Sequence, residues 1–322
     1  MLAAFVSKPA PKDPLSVLEI GDRPEPEVPD GWTTVQVKAV SLNHHDLFSL
    51  RGVGLPEERM PMILGTDAAG LDEDGNEVVV HGVVVGTPGW TGDETLDPKR
   101  SLFSELHQGT MAERVAVPRR NLLPKPAELS YAEAACLPTA WLTAYRMLFV
   151  KSGLRPGSTV LVQGASGGVA TALIELGKAA GYRVWVTGRS EEKRQAALQL
   201  GADQAFESGA RLPERVDGVM ETVGEATWSH SVKSLKPGGV IVTSGATTGF
   251  NPGAELNRVF FTQLSVIGST MGTRDELEDL IRMCAVTGIR PAIDVELPLR
   301  QARDGFERML EGRTAGKIVF TL

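Results

Sequence analysis

The sequence predicts an α/β fold with a doubly wound parallel sheet, joined to a second, mostly β region. Three observations lead there. Beyond residue 157, short β-branched runs alternate with helix-length segments. A glycine-rich turn joins the first of those strands to the first of those helices. The N-terminal third, by contrast, reads as strands and turns. Strands separated by helices form right-handed βαβ units, and those require parallel pairing.

In the N-terminal region TTVQVKAVSL (33–42) alternates polar and apolar residues, as a half-buried strand does. NEVVVHGVVVG (76–86) is a β-branched run broken at Gly82, and MAERVAVP (111–118) is a strand stopped by Pro118. Residues 87–108 show no period and many turn formers, which predicts a long surface loop. The texture changes near 125, in LLPKPAELS, where a domain boundary is expected. Ser130 with Glu133 three residues later then matches a capping box that opens a helix. The alternating series follows: strand STVLVQ (158–163), helix VATALIELGKAAG (169–181), strand RVWVTG (183–188), helix EEKRQAALQLGA (191–202), strands VDGVME and GGVIVTSG, and finally FFTQLSVIGS, read as a strand. Helices DELEDLIRMCAVTG and QARDGFERMLEGRTAG and the strand KIVFTL close the chain and are expected to rejoin the first region.

The 322 residues suffice for two domains with their own cores. Apolar residues at 42% and charged ones at 23% exclude disorder and coiled coil. A net charge of −7 argues against nucleic-acid binding through bulk charge. Two cysteines cannot make a disulfide framework, and no apolar run reaches a membrane span, so a cytoplasmic protein is expected.

The turn Gly164-Ala165-Ser166-Gly167-Gly168-Val169 lets backbone N–H groups approach a pyrophosphate at a helix N-terminus. The same residues spell G-x-S-x-G, so a serine hydrolase with Ser166 as nucleophile is the rival reading. That enzyme needs a downstream histidine, and only His230 qualifies, inside the helical ATWSHSVKSL. The next strand ends at Gly188, about 20 residues on, where NAD enzymes place an acid for the ribose hydroxyls. Here stand Gly188, Arg189 and Ser190, with Lys193 one turn further, a set suited to a 2′-phosphate and therefore to NADPH. None of the three tyrosines has a lysine four residues on, which excludes the short-chain dehydrogenases.

The stretches VSLNHHDLFSLRG, MPMILGTDAAG, GTMAERVAVP, LSYAEAACLPTAWLTAYRML, GASGGVATALIELGKAAG and TAGKIV resemble the medium-chain dehydrogenase/reductase superfamily. Within it they resemble the zinc-independent quinone oxidoreductase branch. The resemblance implies a mostly β GroES-like catalytic domain, residues 1–125 and 266–322, with a Rossmann domain, 126–265, inserted in it. It also implies a homodimer, paired through the edge strand of the cofactor sheet. The positions that hold catalytic zinc in metal-dependent relatives are Asn43, Thr66 and Thr139 here, none of them a good zinc ligand. Residues 87–108 contain no cysteine for a structural zinc, so no metal is expected. By resemblance Asn43, His45 and Thr66 are catalytic candidates: Asn43 would bond the oxygen that gains charge and His45 would supply a proton. His44, Thr139, Ser244, Gly245 and Lys317 would lie near the cofactor, while Asp46 and Asp67 brace the site. The expected activity is NADPH-dependent reduction of a quinone or α,β-unsaturated carbonyl. An alcohol or aldehyde dehydrogenase, or a non-catalytic NADPH-binding protein, is the alternative within the superfamily.

Overall fold

Strands β1 (Leu2–Val6) and β2 (Leu18–Asp22) pair antiparallel at the start of the chain. The ten-residue β3 (Trp32–Ser41) follows, and its alternation turns Thr33, Val35 and Val37 inward while Gln36 is exposed. Next come α1 (His44–Leu50), β4 (Met62–Ile63), β5 (Ala68–Leu71) and β6 (Glu77–Val80). Gly82 breaks the β-branched run as expected, leaving the short β7 (Val83–Val84) to pair with β8 (Ser101–Leu102). β9 (Arg114–Pro118) and β10 (Leu122–Pro124) complete this part. The computed structural model describes all residues from Met1 to Leu322.

The capping box at Ser130 forms as the sequence requires: Ser130 Oγ accepts from the Glu133 N–H at 3.2 Å, and the Glu133 carboxylate accepts from the Ser130 N–H at 2.7 Å. It opens α2 (Tyr131–Ala135), which continues through π-helical turns at Leu137–Trp141, the single turn α3 (Leu142–Tyr145) and further π turns at Arg146–Lys151.

Then the alternation begins: β11 (Thr159–Val162), α4 (Gly168–Ala179), β12 (Arg183–Gly188), α5 (Glu191–Leu200), β13 (Gln204–Glu207), β14 (Val216–Glu221), α6 (Glu225–Ser234), β15 (Leu235–Thr243), α7 (Leu256–Phe261) and β16 (Ser265–Gly268). The six strands form one parallel sheet in the order β13-β12-β11-β14-β15-β16, the doubly wound arrangement. Leu161, Trp185, Val219 and Ile241 build its core. One expected element is corrected: the phenylalanines of FFTQLSVIGS end helix α7, and only Ser265–Gly268 is strand.

The chain ends with α8 (Arg274–Thr287), β17 (Ile293–Pro298), α9 (Ala302–Leu310) and β18 (Lys317–Thr321). β18 pairs antiparallel with β3, placing Phe320 opposite Val40, so the C-terminus does rejoin the first region. The resulting sheet runs β10-β6-β5-β3-β18-β17, with β9 also on β3. Two compact units result, Met1–Leu142 with Met271–Leu322, and Thr143–Thr270. The breaks expected at 125 and 265 therefore move later. The reason is packing: α2 lies on β3, β5 and β18, Leu137–Trp141 packs with α8, and β16 hydrogen-bonds to β15 in the parallel sheet. No helix is long and apolar enough to cross a membrane.

Candidate active site

In the first unit five polar side chains from separate elements meet: Ser41 at the end of β3, Asn43 before α1, Asp67 before β5, Thr139 in the π turns and Lys317 at the start of β18. Asn43 heads α1, and Asp46 Oδ2 accepts its N–H at 2.9 Å in a capping arrangement. Asp46 Oδ1 accepts the Gly65 N–H at 2.8 Å, which ties the helix to the turn before Thr66. That turn needs glycine, because φ is +97° and a Cβ would sit 2.6 Å from Thr110 Oγ1. Burial raises the Asp46 carboxyl to about 6, against the nearby His45 charge and the two N–H bonds, which favour ionisation.

Lys317 Nζ donates to Asn43 Oδ1 at 2.6 Å and to the Leu42 carbonyl at 2.9 Å. An ammonium can only donate, so it fixes which way the Asn43 amide points. The Asn43 N–H2 then donates to Asp67 Oδ2 at 2.9 Å and to Thr66 Oγ1 and the Ser41 carbonyl at 3.3 Å. Asp67 also accepts from Ser41 Oγ at 2.5 Å and from Thr139 Oγ1. Thr66 Oγ1 lies 2.9 Å from Thr139 Oγ1. Asn43 is 7% exposed, Lys317 3%, and Thr66 and Asp67 not at all, whereas Thr139 is only partly buried.

These positions revise the sequence-based roles. Asn43 was expected to offer its amide to a ligand oxygen, but the amide is spent on Asp67, Thr66 and Ser41. Lys317, expected near the cofactor, has its ammonium held by Asn43 Oδ1 and the Leu42 carbonyl. Thr66 is buried behind Thr139.

His45 Nε2 meets Glu105 Oε1 at 3.0 Å, and its Nδ1 faces Ser104 Oγ at 3.5 Å. Burial disfavours its charged form, but the Glu105 bond and the charges of Asp46, Glu105 and Asp67 outweigh that and raise its pKa. His44 is exposed, and partial desolvation with the charges of Lys317 and Arg51 lowers its pKa. Glu105 and Ser104 lie in the aperiodic 87–108 stretch, where nothing in the sequence marked them. Ser104 holds a left-handed φ of 66° while fully buried, which makes that segment a built support for His45.

In the second unit the glycine turn stands between β11 and α4 as expected. Gly164 has φ +91°, and Gly167 caps α4 with extended backbone. At the end of β12, a Cβ on Gly188 would lie 3.0 Å from the Ala165 Cβ, so small residues on both sides let strand and turn approach. Ser190 caps α5, accepting the Lys193 N–H, and both Arg189 and Ser190 are exposed. Lys193 has its pKa lowered, first by desolvation and then by the neighbouring Arg189 charge. Arg194 turns away to the Gly188 carbonyl at 2.8 Å and to Glu191 at 2.7 Å. Ser244 and Gly245 follow β15, with Ser244 N–H on the Glu221 carbonyl at 3.0 Å and Ser244 Oγ on Met147 Sδ at 3.0 Å. Both nitrogens of His230 are engaged, by the Ala210 carbonyl at 2.8 Å and by Gln163 Nε2 at 2.9 Å. His230 therefore does not serve Ser166, and the hydrolase reading falls.

Residues 29–127 match the family model described as alcohol dehydrogenase GroES-like domain, and residues 168–286 the one described as zinc-binding dehydrogenase. An alcohol dehydrogenase of Geobacillus stearothermophilus is 30% identical over 96% of this chain and 96% of its own. The chain belongs to the medium-chain dehydrogenase/reductase superfamily. It is an oxidoreductase of that superfamily, with the GroES-like and Rossmann parts expected. An acryloyl-coenzyme A reductase of Metallosphaera sedula is 28% identical, over 94% of this chain and 96% of its own. A solved structure described as NAD-dependent alcohol dehydrogenase is 33% identical, with TM-score 0.92 and 100% of both chains covered.

The zinc in one family description can be tested against the residues present. Asn43, Thr66 and Thr139 do converge, but they offer an amide and two hydroxyls already bonded to one another. Zinc takes thiolate, imidazole or carboxylate. The nearby Cys136 thiol is pushed up to about 12, first by burial, and donates to the Ala132 carbonyl at 3.2 Å. A fixed ammonium, Lys317, already occupies the Asn43 oxygen and would repel a dication. These residues do not fit zinc.

Proposed function

We propose that this medium-chain dehydrogenase/reductase reduces a conjugated carbonyl, either a quinone or an α,β-unsaturated carbonyl, with NADPH and without zinc. The observation that carries the reading is the convergence of Asn43, Thr66 and Thr139, an amide and two hydroxyls, on a network whose one carboxylate, Asp67, is already held by Ser41, Asn43 and Thr139. Without a Lewis acid, simple alcohol oxidation is hard. A conjugated acceptor spreads the incoming charge onto an oxygen that hydrogen bonds can stabilise. The acryloyl-coenzyme A reductase relative supports the same class of acceptor.

The nicotinamide, when bound, supplies the hydride. The N–H groups of the Gly164–Val169 turn suit its pyrophosphate, and Arg189, Ser190 and Lys193 suit a 2′-phosphate. His45, kept protonated more readily by Glu105, is a proton reservoir on α1. Cys136 and Cys284 are buried and in no disulfide, which suits a reducing, cytoplasmic setting. The exposed edge β16 is read as a homodimer contact.

A second reading, interconversion of an alcohol and a carbonyl, is favoured by the alcohol dehydrogenase relatives. The test is to follow NADPH oxidation, after chelator treatment, against quinones, enones, enoyl thioesters and simple aldehydes. Fast turnover of conjugated acceptors is expected. Turnover of simple aldehydes alone would favour the second reading, and loss of activity to the chelator would overturn zinc independence.

A further inference from the structure

We infer that Thr139 hands a proton to and from the ligand's oxygen, with Asp67 as the buried group that takes and returns it. The inference rests on the hydride-transfer reading above and names groups that it leaves open.

Thr139 Oγ1 has one proton and two lone pairs. Its proton lies on Asp67 Oδ1. Thr66 Oγ1 lies 2.9 Å away, and because the Thr139 proton is committed to Asp67, Thr66 is the donor in that bond and occupies one lone pair. At the far end Lys317 holds Asn43 Oδ1 at 2.6 Å and leaves the amide only its N–H2 to offer inward, one bond of which reaches Thr66. One lone pair of Thr139 is left over. Thr139 is also the member of the network that is only partly buried, while Thr66 and Asp67 are fully buried. A chain of bonds that begins on a fixed ammonium thus ends on a hydroxyl that accepts from a ligand O–H.

Asp67 Oδ1 is the carboxylate oxygen that Thr139 touches, so a proton that Thr139 passes inward goes there. Ser41 Oγ, Asn43 Nδ2 and Thr139 Oγ1 hold its two oxygens, and Lys317 Nζ stands 3.8 Å from Oδ2. When a hydroxyl ligand is oxidised, its O–H bond breaks and the proton joins Thr139 Oγ1. The original Thr139 proton passes to Asp67 Oδ1, and as the carbonyl forms the C–H electron pair would leave as the hydride that a bound oxidised nicotinamide would accept. In reduction the same atoms move in reverse. Hydride adds to carbon, or to the β-carbon of a conjugated acceptor, and the displaced electron pair reaches the oxygen. Reduction starts once a proton from water has passed through Thr139 to Asp67 Oδ1; Thr139 then protonates the ligand oxygen, giving an alcohol, a phenol or an enol, and Asp67 Oδ1–H reprotonates Thr139 and is left as the carboxylate. Thr139 is then a catalytic residue, and Asp67 acts through it as a positioning and proton-holding residue.

The test uses Thr139→Val, which keeps the shape and deletes the hydroxyl, and Thr139→Ser, which keeps the hydroxyl. The acceptor is whichever is turned over fastest in the panel above. Proton transfer by a positioned group contributes about 10²–10⁴ in rate, so Thr139→Val is expected to lower kcat by about 10²-fold or more, with KM changed far less. NADPH affinity, read by fluorescence titration, and the thermal melting profile should match the unmutated protein. Thr139→Ser should recover most of the loss. Asp67→Asn should fall with Thr139→Val, and melting shows whether it is folded. Thr139→Val with at least half the original kcat, or Thr139→Ser no better than Thr139→Val, overturns the inference while the functional reading stands. An unmutated protein inert to every acceptor with both NADPH and NADH overturns that reading and this inference together.

Discussion

His45 and Glu105, sixty positions apart in the chain, face each other at 3.0 Å, with side chains 22% and 28% exposed. Burial opposes charge on both, yet each sustains the other: the His45 pKa is raised, and Glu105 is held below the usual carboxylate range by His45 and the Leu102 N–H. A base whose folded pKa is raised stabilises the fold fully below its unfolded value, near 6.5, and loses that contribution as pH rises through the higher folded value. Partial exposure limits the effect to about 1 kcal/mol or less. Glu105→Gln should therefore lower the His45 titration seen by NMR. It should cost stability below about pH 6 and little above about pH 8. An unchanged His45 titration would refute the pairing.

The parallel sheet was legible in the sequence because its central strands are buried on both faces. Val160, Leu161, Val162, Val184, Trp185 and Val186 therefore stand in unbroken apolar runs. The glycine turn was legible because backbone approach needs small residues at fixed spacing. FFTQLSVIGS misled, since Phe260 and Phe261 favour strands by type but lie exposed, 69% and 79%, at the end of α7. Glu105 could not be found, because an ion pair across sixty positions leaves no periodic trace. The burial of Lys317 was not legible either: lysine is normally a solvated residue, and its burial depends on Asn43 and Leu42 offering oxygens from a distant part of the chain.

The edge strand β16 pairs with β15 on one side, and Val266 is 47% exposed on it. Phe250, Leu256, Phe260 and Phe261 in the same segment are each at least 69% exposed. An apolar unpaired edge is an aggregation liability unless a partner covers it. Light scattering should show a dimer of the 34.5 kDa chain, and Val266→Lys should shift it toward monomer. A monomeric unmutated protein at micromolar concentration would contradict this.

Arg189 and Ser190 are exposed beside the end of β12, while Arg194 is taken up by Glu191 and the Gly188 carbonyl. Of the two arginines here, Arg189 is thus the one placed to meet a 2′-phosphate. A charge-assisted bond contributes about 1.5–3 kcal/mol, roughly 10- to 100-fold in affinity. Arg189→Ala should weaken NADPH by that factor and leave NADH nearly unchanged. Equal dissociation constants for the two cofactors in the unmutated protein would end the assignment.

Lys317 is 3% exposed, donates to Asn43 Oδ1 and to the Leu42 carbonyl, and lies 3.8 Å from Asp67 Oδ2. Methionine at 317 would retain most of the apolar stem and remove the charge. Two buried oxygens would then lose a donor, and Asp67 its counter-charge. Removing one member of a buried ion pair typically costs about 3–5 kcal/mol, so Lys317→Met should lower unfolding stability by that order in denaturant titration. The direction of the Asn43 amide would also no longer be imposed. Lys317→Met and Asn43→Ala should therefore be non-additive, the double variant losing about 0.5–3 kcal/mol less than the two losses combined. Strict additivity, or a Lys317→Met loss below about 1 kcal/mol, would show that the ammonium does not organise the network.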